Sequence, residues 1–216
     1  MPANRVHLVR HGEVFNPDGV LYGRLDGFGL SEHGSLMARD AAKALVDEGR
    51  EVTRLVASPL LRTQQSAEPI AEGFGLVTGL DERLIEPFNI FEGRKLSARH
   101  VAVRPHLYFH LRNPYRPSWG EPYQHILARM LDAMADLAQQ VPNGDLVIVT
   151  HQLPIWMVHL GVSGQPLMHN PKKRRCALSS ITSFELTGDG SKSTDWVEVD
   201  YRAPASSRAA KDRGAV

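Results

Sequence analysis

The sequence is almost without cysteine, and Cys176 is the only one among its 216 residues. A lone thiol cannot form an internal disulfide or a cysteine-based metal cluster. Long apolar stretches are absent as well, and the opening residues, MPANR, do not form a signal peptide. We therefore expect a cytoplasmic protein that neither spans nor binds a membrane.

The sequence also lacks a dominant charge, because its formal net charge is only +1. A nearly neutral protein has no general attraction to nucleic acid, so none is expected as a partner. One basic run stands out, from Lys172 to Arg175. We interpret it as a solvated surface loop, and the alternative is that it lines the mouth of a site for a polyanionic substrate.

The composition is that of a folded globular chain, with 42% hydrophobic and 23% charged residues. A chain of 216 residues can bury one sizeable hydrophobic core. We predict a single domain over residues 1–202. The stretch 203–216 is small, polar and aperiodic, so it is expected to be a disordered tail.

Short runs rich in Val, Ile and Leu alternate along the chain with longer helical patterns. Such runs predict strands that are buried on both faces, as in parallel sheets. Alternating strands and helices form right-handed crossovers, which place helices on both faces of the sheet. The predicted fold class is therefore α/β, a three-layer α/β/α sandwich with a mostly parallel central sheet. The predicted strands are 5–10, 54–58 and 145–151, and the predicted helices are 31–49, 60–75 and 121–141.

Two further segments complete this prediction. Residues 179–186 and 195–202 resemble a hairpin that adds strands at the edge of the sheet. The stretch 94–120 has many aromatic residues and mixed periodicity, and we expect it to form an inserted helical lid.

Polar side chains follow each of the predicted strands. Arg10 and His11 follow the first, Ser58 and Arg62 the second, and His151 the third. Ligands of open α/β sheets bind at the carboxyl ends of the strands, so these groups are expected to share a crevice. Guanidinium groups bind phosphate oxygens in pairs, and the sequence therefore predicts a site for a compact dianion, with phosphate as the obvious candidate.

The stretch LVRHGE, residues 8–13, resembles the signature of the histidine phosphatase superfamily, which is also called phosphoglycerate mutase-like. Further motifs of that superfamily follow in the same order along the chain, and one Arg-His-Gly alone would be a weak signal. These motifs are LYGRLDGFGLSEHG at 21–34, ASPLLRTQQSAEPIA at 57–71, ERLIEPFNIFEG at 82–93, GE at 120–121 and VIVTH at 147–151.

The resemblance implies a role for each matching residue in the phosphate site. His11 becomes the nucleophile that accepts the phosphoryl group, and Arg10, Arg62 and His151 bind its oxygens. Asn16 matches an additional residue of the phosphate pocket. Nearby cations favour the neutral imidazole that attack requires, and they replace the metal ion that many phosphoryl-transfer enzymes use. No metal or other cofactor is therefore expected.

The resemblance also implies a proton donor and a mouth of the site. Glu86 matches the donor, because a carboxyl group beside a phosphate dianion retains its proton, and Glu92 is the alternative. Tyr22 and Arg24 face the crevice or pack within their loop. Glu13 matches a position with a structural role.

One residue departs from the pattern of the superfamily. Many members have glycine after the second histidine, where a bare backbone approaches phosphate, but this chain has Gln152. The glutamine either narrows the phosphate pocket or contributes an amide contact of its own. Pro154 still favours a helix start there, so the helix N-terminus is expected to point toward the anion.

The stretch HLYFH places His106 and His110 one helical turn apart, a spacing used by zinc-binding helices. It lacks the glutamate of the His-Glu-x-x-His motif, and its aromatic neighbours favour a packed helix of the insert. We therefore predict no metal site at these histidines.

Three functions are compatible with these residues. The favoured one is a metal-independent phosphatase that hydrolyses phosphomonoesters of small metabolites through phosphohistidine. A phosphoglycerate mutase-type phosphoryl transferase is the second, but IEPFNIFEG does not match the Glu-Arg-x-Tyr-Gly segment of the cofactor-dependent mutases. The third is a phosphate-binding protein without catalysis, which the presence of every matching catalytic residue type argues against.

Overall fold

The computed structural model describes residues 3–95, 120–188 and 192–208, and all structural statements here refer to these residues. They form an α/β fold with six strands and four α-helices. The strands are β1 (Val6–Arg10), β2 (Val52–Ala57), β3 (Thr78–Leu80), β4 (Asp145–Thr150), β5 (Ile181–Leu186) and β6 (Trp196–Arg202). The helices are α1 (Glu32–Asp47), α2 (Leu61–Phe74), α3 (Tyr123–Gln139) and α4 (Gln152–Val162).

The six strands form one mostly parallel sheet in the order β3-β2-β4-β1-β5-β6. The first four of these strands are parallel to one another, and the β5–β6 hairpin is antiparallel and forms one end of the sheet. Two short segments were not predicted as full elements. These are β3, which has only three residues, and α4, of which the sequence indicated only the start.

Strand β4 shows why the central strands have no polar face. Leu146 and Ile148 pack in a core with α3 and α4, and Val147 and Val149 pack in a second core with α1 and α2. Successive side chains of a strand point to opposite faces, so helices must cover both sides of a strand that is apolar throughout. The predicted three-layer arrangement is therefore confirmed.

The chain after β6 contacts the rest of the domain. Ala205 is buried against Met37 and Leu178, and Arg208 forms an ion pair with Asp40 of α1. Residues 203–208 thus form one apolar contact and one charged contact with the domain, and the expected disorder of the tail stays a prediction. The rest of the tail, 209–216, lies outside the described residues.

Two other predictions also concern residues beyond the described part of the chain. Nearly all of the expected lid, 96–119, is outside it, and so are His106 and His110.

Each described helix is too short or too polar to cross a membrane.

Candidate active site

Parallel pairing of β1 with β4 brings the two predicted histidines together. The register pairs Arg10 with Thr150, the last residues of their strands, so His11 and His151 leave the sheet at the same edge. The backbone N–H of His11 donates to the carbonyl of Thr150 at 3.1 Å. The two imidazole rings lie edge to face with centroids 5.3 Å apart, and both are fully buried.

The hydrogen bonding of His11 determines which ring nitrogen can react. Its Nδ1 lies 2.8 Å from the carbonyl oxygen of Gly12, and a carbonyl oxygen only accepts, so Nδ1 carries the proton. In the neutral ring the lone pair is then on Nε2. Burial, followed by the charges of Arg62 and Arg10, lowers the pKa of His11 well below its ordinary value of 6.5. A nucleophilic imidazole must be neutral and must have a lone pair available for attack, and His11 meets both conditions.

Glycine is required at position 12 because the loop after β1 packs directly on the first turn of α1. A Cβ at Gly12 would lie 2.4 Å from the carbonyl oxygen of Gly34. Glu13 strengthens the same contact, since its carboxylate accepts a hydrogen bond of 2.8 Å from Ser31, the N-cap of α1. The structural role predicted for Glu13 agrees with these contacts.

Arg62, in the first turn of α2, connects the site to His151 and to the loop that contains Gly23. Its Nη2 donates to the Gly23 carbonyl at 2.8 Å and to His151 Nδ1 at 3.2 Å. His151 Nδ1 is thus an acceptor, and the opposite nitrogen, Nε2, donates to Ser58 Oγ at 2.8 Å. Burial is the main cause that lowers the pKa of His151, and Arg62 adds to it, so this ring is also neutral.

Arg10 is the second buried cation at the strand ends. Its guanidinium is almost fully buried and donates from Nη1 to the carbonyl of Cys176 at 2.7 Å. Both Arg10 and Arg62 are large side chains with exposed fractions of 1%, which is rare for arginine. Two buried guanidinium groups beside two neutral imidazoles give this pocket a net positive charge, which suits a dianion such as phosphate.

Glu86 supplies the only carboxyl group of the histidine cluster in the described residues. Its Oε2 lies 3.4 Å from His151 Nδ1, and Oε1 has no hydrogen-bond partner among the described residues. Burial raises the pKa of Glu86 against the opposite influence of Arg62 and Arg174, so the protonated carboxyl group is favoured. A buried carboxyl group with a raised pKa in this position suits a proton donor.

The alternative donor, Glu92, has a different role. Its Oε1 accepts the backbone N–H of Asn89 at 3.1 Å, which stabilises the turn that follows Glu86. This hydrogen bond lies within the loop that contains Glu92. In contrast, one side-chain nitrogen or oxygen atom of each of His11, Glu86 and His151 lies within 4.8 Å of the others. The geometry therefore favours Glu86 over Glu92.

The two candidate mouth residues both contact the site. The Arg62 guanidinium carbon lies 4.8 Å from the ring centre of Tyr22, which is itself buried. Arg24 donates from Nε to the carbonyl of Glu86 at 2.5 Å, and its Nη2 lies 3.6 Å from Glu121. Tyr22 thus contacts the buried Arg62, and Arg24 binds the backbone of Glu86.

Asn16 is bound within its own loop. Its amide donates to the carbonyl of Val20 at 2.8 Å and accepts the N–H of Val20 at 3.2 Å, so it closes the turn 16–20. Its assignment to the phosphate pocket stays a prediction.

The basic run contains a residue that sequence reasoning missed. Lys172, Lys173 and Arg175 are exposed, but the Arg174 guanidinium turns inward. It donates to Gln152 Oε1 at 3.1 Å and to His169 Nε2 at 2.9 Å. The interpretation as a solvated loop is therefore wrong for Arg174. No local pattern in the run distinguishes Arg174 from its neighbours, because its environment is made by residues that are distant in sequence.

Gln152 forms hydrogen bonds to protein groups through both atoms of its amide. Its amide nitrogen donates to the Cys176 carbonyl at 3.3 Å, and its amide oxygen binds Arg174. The same Cys176 carbonyl also accepts from Arg10. The described contacts of Gln152 thus connect two arginines, and a direct contact with phosphate stays a prediction.

The histidine cluster also has distances that suit a metal ion, since His11, Glu86 and His151 each offer one ligand atom within 4.8 Å. The surrounding charge is unfavourable for a dication, because Arg10 and Arg62 are buried beside these ligands. The arrangement fits an anion better than a metal ion.

These features define a class of protein: an α/β protein whose parallel strand ends bring together two buried histidines, two buried arginines and a buried carboxyl group. The family model of the histidine phosphatase superfamily, branch 1, matches residues 6–199. The chain therefore belongs to the histidine phosphatase superfamily, and the resemblance noted from its motifs is confirmed.

Particular relatives extend this finding. The chain is 46% identical over 202 residues to an uncharacterized protein of Mycobacterium tuberculosis, Rv0525, covering 93% of this chain and 96% of that protein. It is 30% identical to the probable phosphoglycerate mutase GpmB of Erwinia tasmaniensis, covering 82% and 84% of the two chains. It is also similar to the solved structure of a mycobacterial glucosyl-3-phosphoglycerate phosphatase, Rv2419c, with 26% identity, a TM-score of 0.71 and coverage of 90% and 96%.

Proposed function

We propose that this protein is a metal-independent hydrolase of small phosphomonoesters that acts through phosphohistidine. The observation that carries the proposal is the hydrogen bond from His11 Nδ1 to the Gly12 carbonyl. It directs the lone pair of a neutral, buried imidazole to Nε2, in a pocket with two buried arginines and Glu86. These are the groups that phosphoryl transfer to histidine requires.

The reaction has two steps. Nε2 of His11 attacks phosphorus, a P–N bond forms, and the bond between phosphorus and the leaving oxygen breaks. Glu86 gives its proton to that oxygen, so an alcohol leaves, while Arg10 and Arg62 stabilise the charge on the transferring group. Water then attacks phosphorus, the Glu86 carboxylate takes a proton from it, and the P–N bond breaks to release inorganic phosphate and neutral His11.

The relatives support this reaction class in part, since one similar structure is a phosphatase and one relative is named a probable mutase. A mutase would keep the phosphoryl group on His11 and return it to another hydroxyl of the substrate. The segment from Ile85 to Gly93 lacks the Glu-Arg-x-Tyr-Gly pattern of the cofactor-dependent mutases. This difference favours hydrolysis over mutase activity.

The test follows the fate of a labelled phosphoryl group. The enzyme is mixed briefly with ³²P-labelled 3-phosphoglycerate and quenched in alkali, in which phosphohistidine survives. We expect a base-stable, acid-labile label on the wild type and on His125→Ala, an exposed-histidine control, and none on His11→Ala. At longer times the label should appear as inorganic phosphate. Label that moves to 2-phosphoglycerate instead would establish the mutase. Phosphate binding with no phosphoenzyme from either 3-phosphoglycerate or p-nitrophenyl phosphate would favour a non-catalytic protein.

A further inference from the structure

The backbone polar groups of His11 and Gly12 are all hydrogen-bonded. The His11 N–H donates to the Thr150 carbonyl at 3.1 Å, and the His11 carbonyl accepts the N–H of Ser179 at 3.2 Å. The Gly12 N–H donates to the hydroxyl oxygen of Ser66 at 3.1 Å, and the Gly12 carbonyl accepts from the His11 ring at 2.8 Å. Apart from His11 itself, Ser66 is the one residue in the described part of the chain that supplies a side chain to these bonds.

Ser66 lies on α2, one helical turn after Arg62. The residue is only 2% exposed, and its hydroxyl donates to the Arg62 carbonyl at 2.7 Å. The single O–H proton is thus used within the helix, which leaves the oxygen lone pairs for the Gly12 N–H. One hydroxyl therefore connects the loop that contains His11 to the turn of α2 that contains Arg62.

The requirements of the helix alone do not explain a serine at this position. Ala67 and Ile70, on the same buried face of α2, pack in the core with α1. Alanine has a higher helix propensity than serine, and a hydroxyl that bonds the carbonyl four residues earlier slightly destabilises a helix. The bond from the Gly12 N–H offsets this cost, because that buried N–H needs an acceptor.

Ser179 holds the same peptide group from its other side. Its φ is 54°, in the left-handed region that residues other than glycine rarely adopt. The His11–Gly12 peptide is thus fixed at both polar atoms, at its carbonyl by Ser179 and at its N–H by Ser66. Backbone strain of this kind is maintained by the surrounding structure and is common at functional sites.

The orientation of this peptide matters because it directs the His11 ring. In the proposed reaction Nε2 must lie about 3–3.5 Å from phosphorus and in line with the leaving oxygen. The direction of the ring depends on the His11 backbone and on the bond from Nδ1 to the Gly12 carbonyl. Both depend on how the His11–Gly12 peptide is held.

We propose that Ser66 is a positioning residue, which acts through the Gly12 N–H to hold His11 in the orientation for attack on a phosphoryl group bound by Arg62. This inference rests on the proposed hydrolase activity and deepens it, because it gives a residue outside the reacting groups a part in the first step.

The test separates attack by His11 from binding of the anion. The burst of p-nitrophenolate from p-nitrophenyl phosphate measures the phosphorylation step, because this leaving group needs little help from a proton donor. Calorimetric titration with inorganic phosphate measures binding. Ser66→Ala should slow the burst by about tenfold or more, since the nucleophile is no longer held in line, and should change the Kd of phosphate by less than about twofold.

Two further variants make this result specific to the hydroxyl. Ser66→Thr keeps a hydroxyl that can bond the same groups, so it should restore most of the burst rate. Ser35→Ala is the matched control, because Ser35 also donates to the carbonyl four residues earlier but is exposed on α1. It should leave both the burst rate and the Kd of phosphate unchanged. If Ser66→Ala folds poorly, as judged by circular dichroism, Ser66→Cys serves, and its weakly accepting thiol should slow the burst by a smaller factor.

Three results would overturn the inference. An unchanged burst rate in Ser66→Ala would leave the residue a packing role only, and an equal loss of burst rate and phosphate affinity would indicate damage to the whole site. Failure of Ser66→Thr to restore the rate would assign the loss to side-chain volume. Failure of the proposed function would look different, because the wild type itself would then give no burst and no base-stable phosphoenzyme.

Discussion

Glu86 Oε2 lies 3.4 Å from His151 Nδ1, and both side chains are fully buried. Nδ1 accepts a hydrogen bond from Arg62, so it carries no proton that it could donate to the carboxyl group. An ionised Glu86 would therefore receive no hydrogen bond from this nitrogen, whereas a protonated Glu86 could donate to a bound ester. This environment suits the proton donor that the proposed reaction requires.

The proposed role of Glu86 as a general acid predicts a dependence on the leaving group. An aryl phosphate leaves as a stabilised phenolate, but an alkyl phosphate leaves as a strongly basic alkoxide. Glu86→Gln should slow phosphorylation of His11 by the alkyl ester by about 10²- to 10⁴-fold, and by p-nitrophenyl phosphate far less. The comparison uses the burst phase, because the same carboxyl group activates water in the second step.

Glu92→Gln is the control for this experiment, because Glu92 accepts a backbone hydrogen bond in the adjacent turn. It should affect both esters equally. A loss in Glu86→Gln that is the same for both esters would remove Glu86 as the proton donor.

The buried environment of His11 predicts an unusual titration. Burial and the charges of Arg62 and Arg10 lower its pKa, so the neutral ring should persist as the pH falls below 6.5. NMR of protein labelled with ¹⁵N-histidine should show His11 at pH 6.5 as a neutral ring protonated on Nδ1. The signal that is absent from the spectrum of His11→Ala is the signal of His11. A His11 ring that is protonated at pH 6.5, or that carries its proton on Nε2, would contradict the proposed nucleophile.

The charge of the pocket predicts activity without a metal ion. Arg10 and Arg62 supply positive charge, and a dication bound to His11, Glu86 and His151 would be repelled by them. Phosphate release from p-nitrophenyl phosphate should therefore survive exhaustive treatment with EDTA and dialysis. If activity were lost and then restored by zinc, the histidine cluster would be a metal site.

The packing of the loop after β1 predicts a stability effect at Gly12. A methyl group there would lie 2.4 Å from the carbonyl oxygen of Gly34, so Gly12→Ala must shift the loop or α1. The free energy of unfolding should fall by about 1–3 kcal/mol, as for other overpacked sites. Urea unfolding measures this value. Gly79→Ala is the control, since its nearest contacts are ordinary ones at 3.7 Å, and it should cause no comparable loss.

The sequence predicted the elements whose signals are local. Val147 and Val149 alternate with Leu146 and Ile148, and this uninterrupted apolar run specifies a strand covered on both sides, so the positions of the strand ends follow. His11 and His151 could be placed together for that reason. The same reasoning did not detect β3, because three residues carry too little pattern.

The remaining features depend on contacts between distant segments. Arg174 looks like its basic neighbours in the sequence, and its inward orientation is set by Gln152, 22 positions earlier, and by the Leu167 carbonyl that orients His169. The burial of Ala205 could not be predicted for a similar reason, since a small residue in a polar stretch is buried only by tertiary packing on Met37.

The most direct test of the proposed function is the site of the phosphoryl group on the trapped enzyme. The phosphoenzyme formed with p-nitrophenyl phosphate can be digested in alkali, and the phosphopeptide analysed by mass spectrometry and by ¹H–³¹P NMR. The hydrogen bond from Nδ1 to Gly12 predicts phosphorus on Nε2 of His11. Phosphorus on Nδ1 of His11, or on any other residue, would contradict the account.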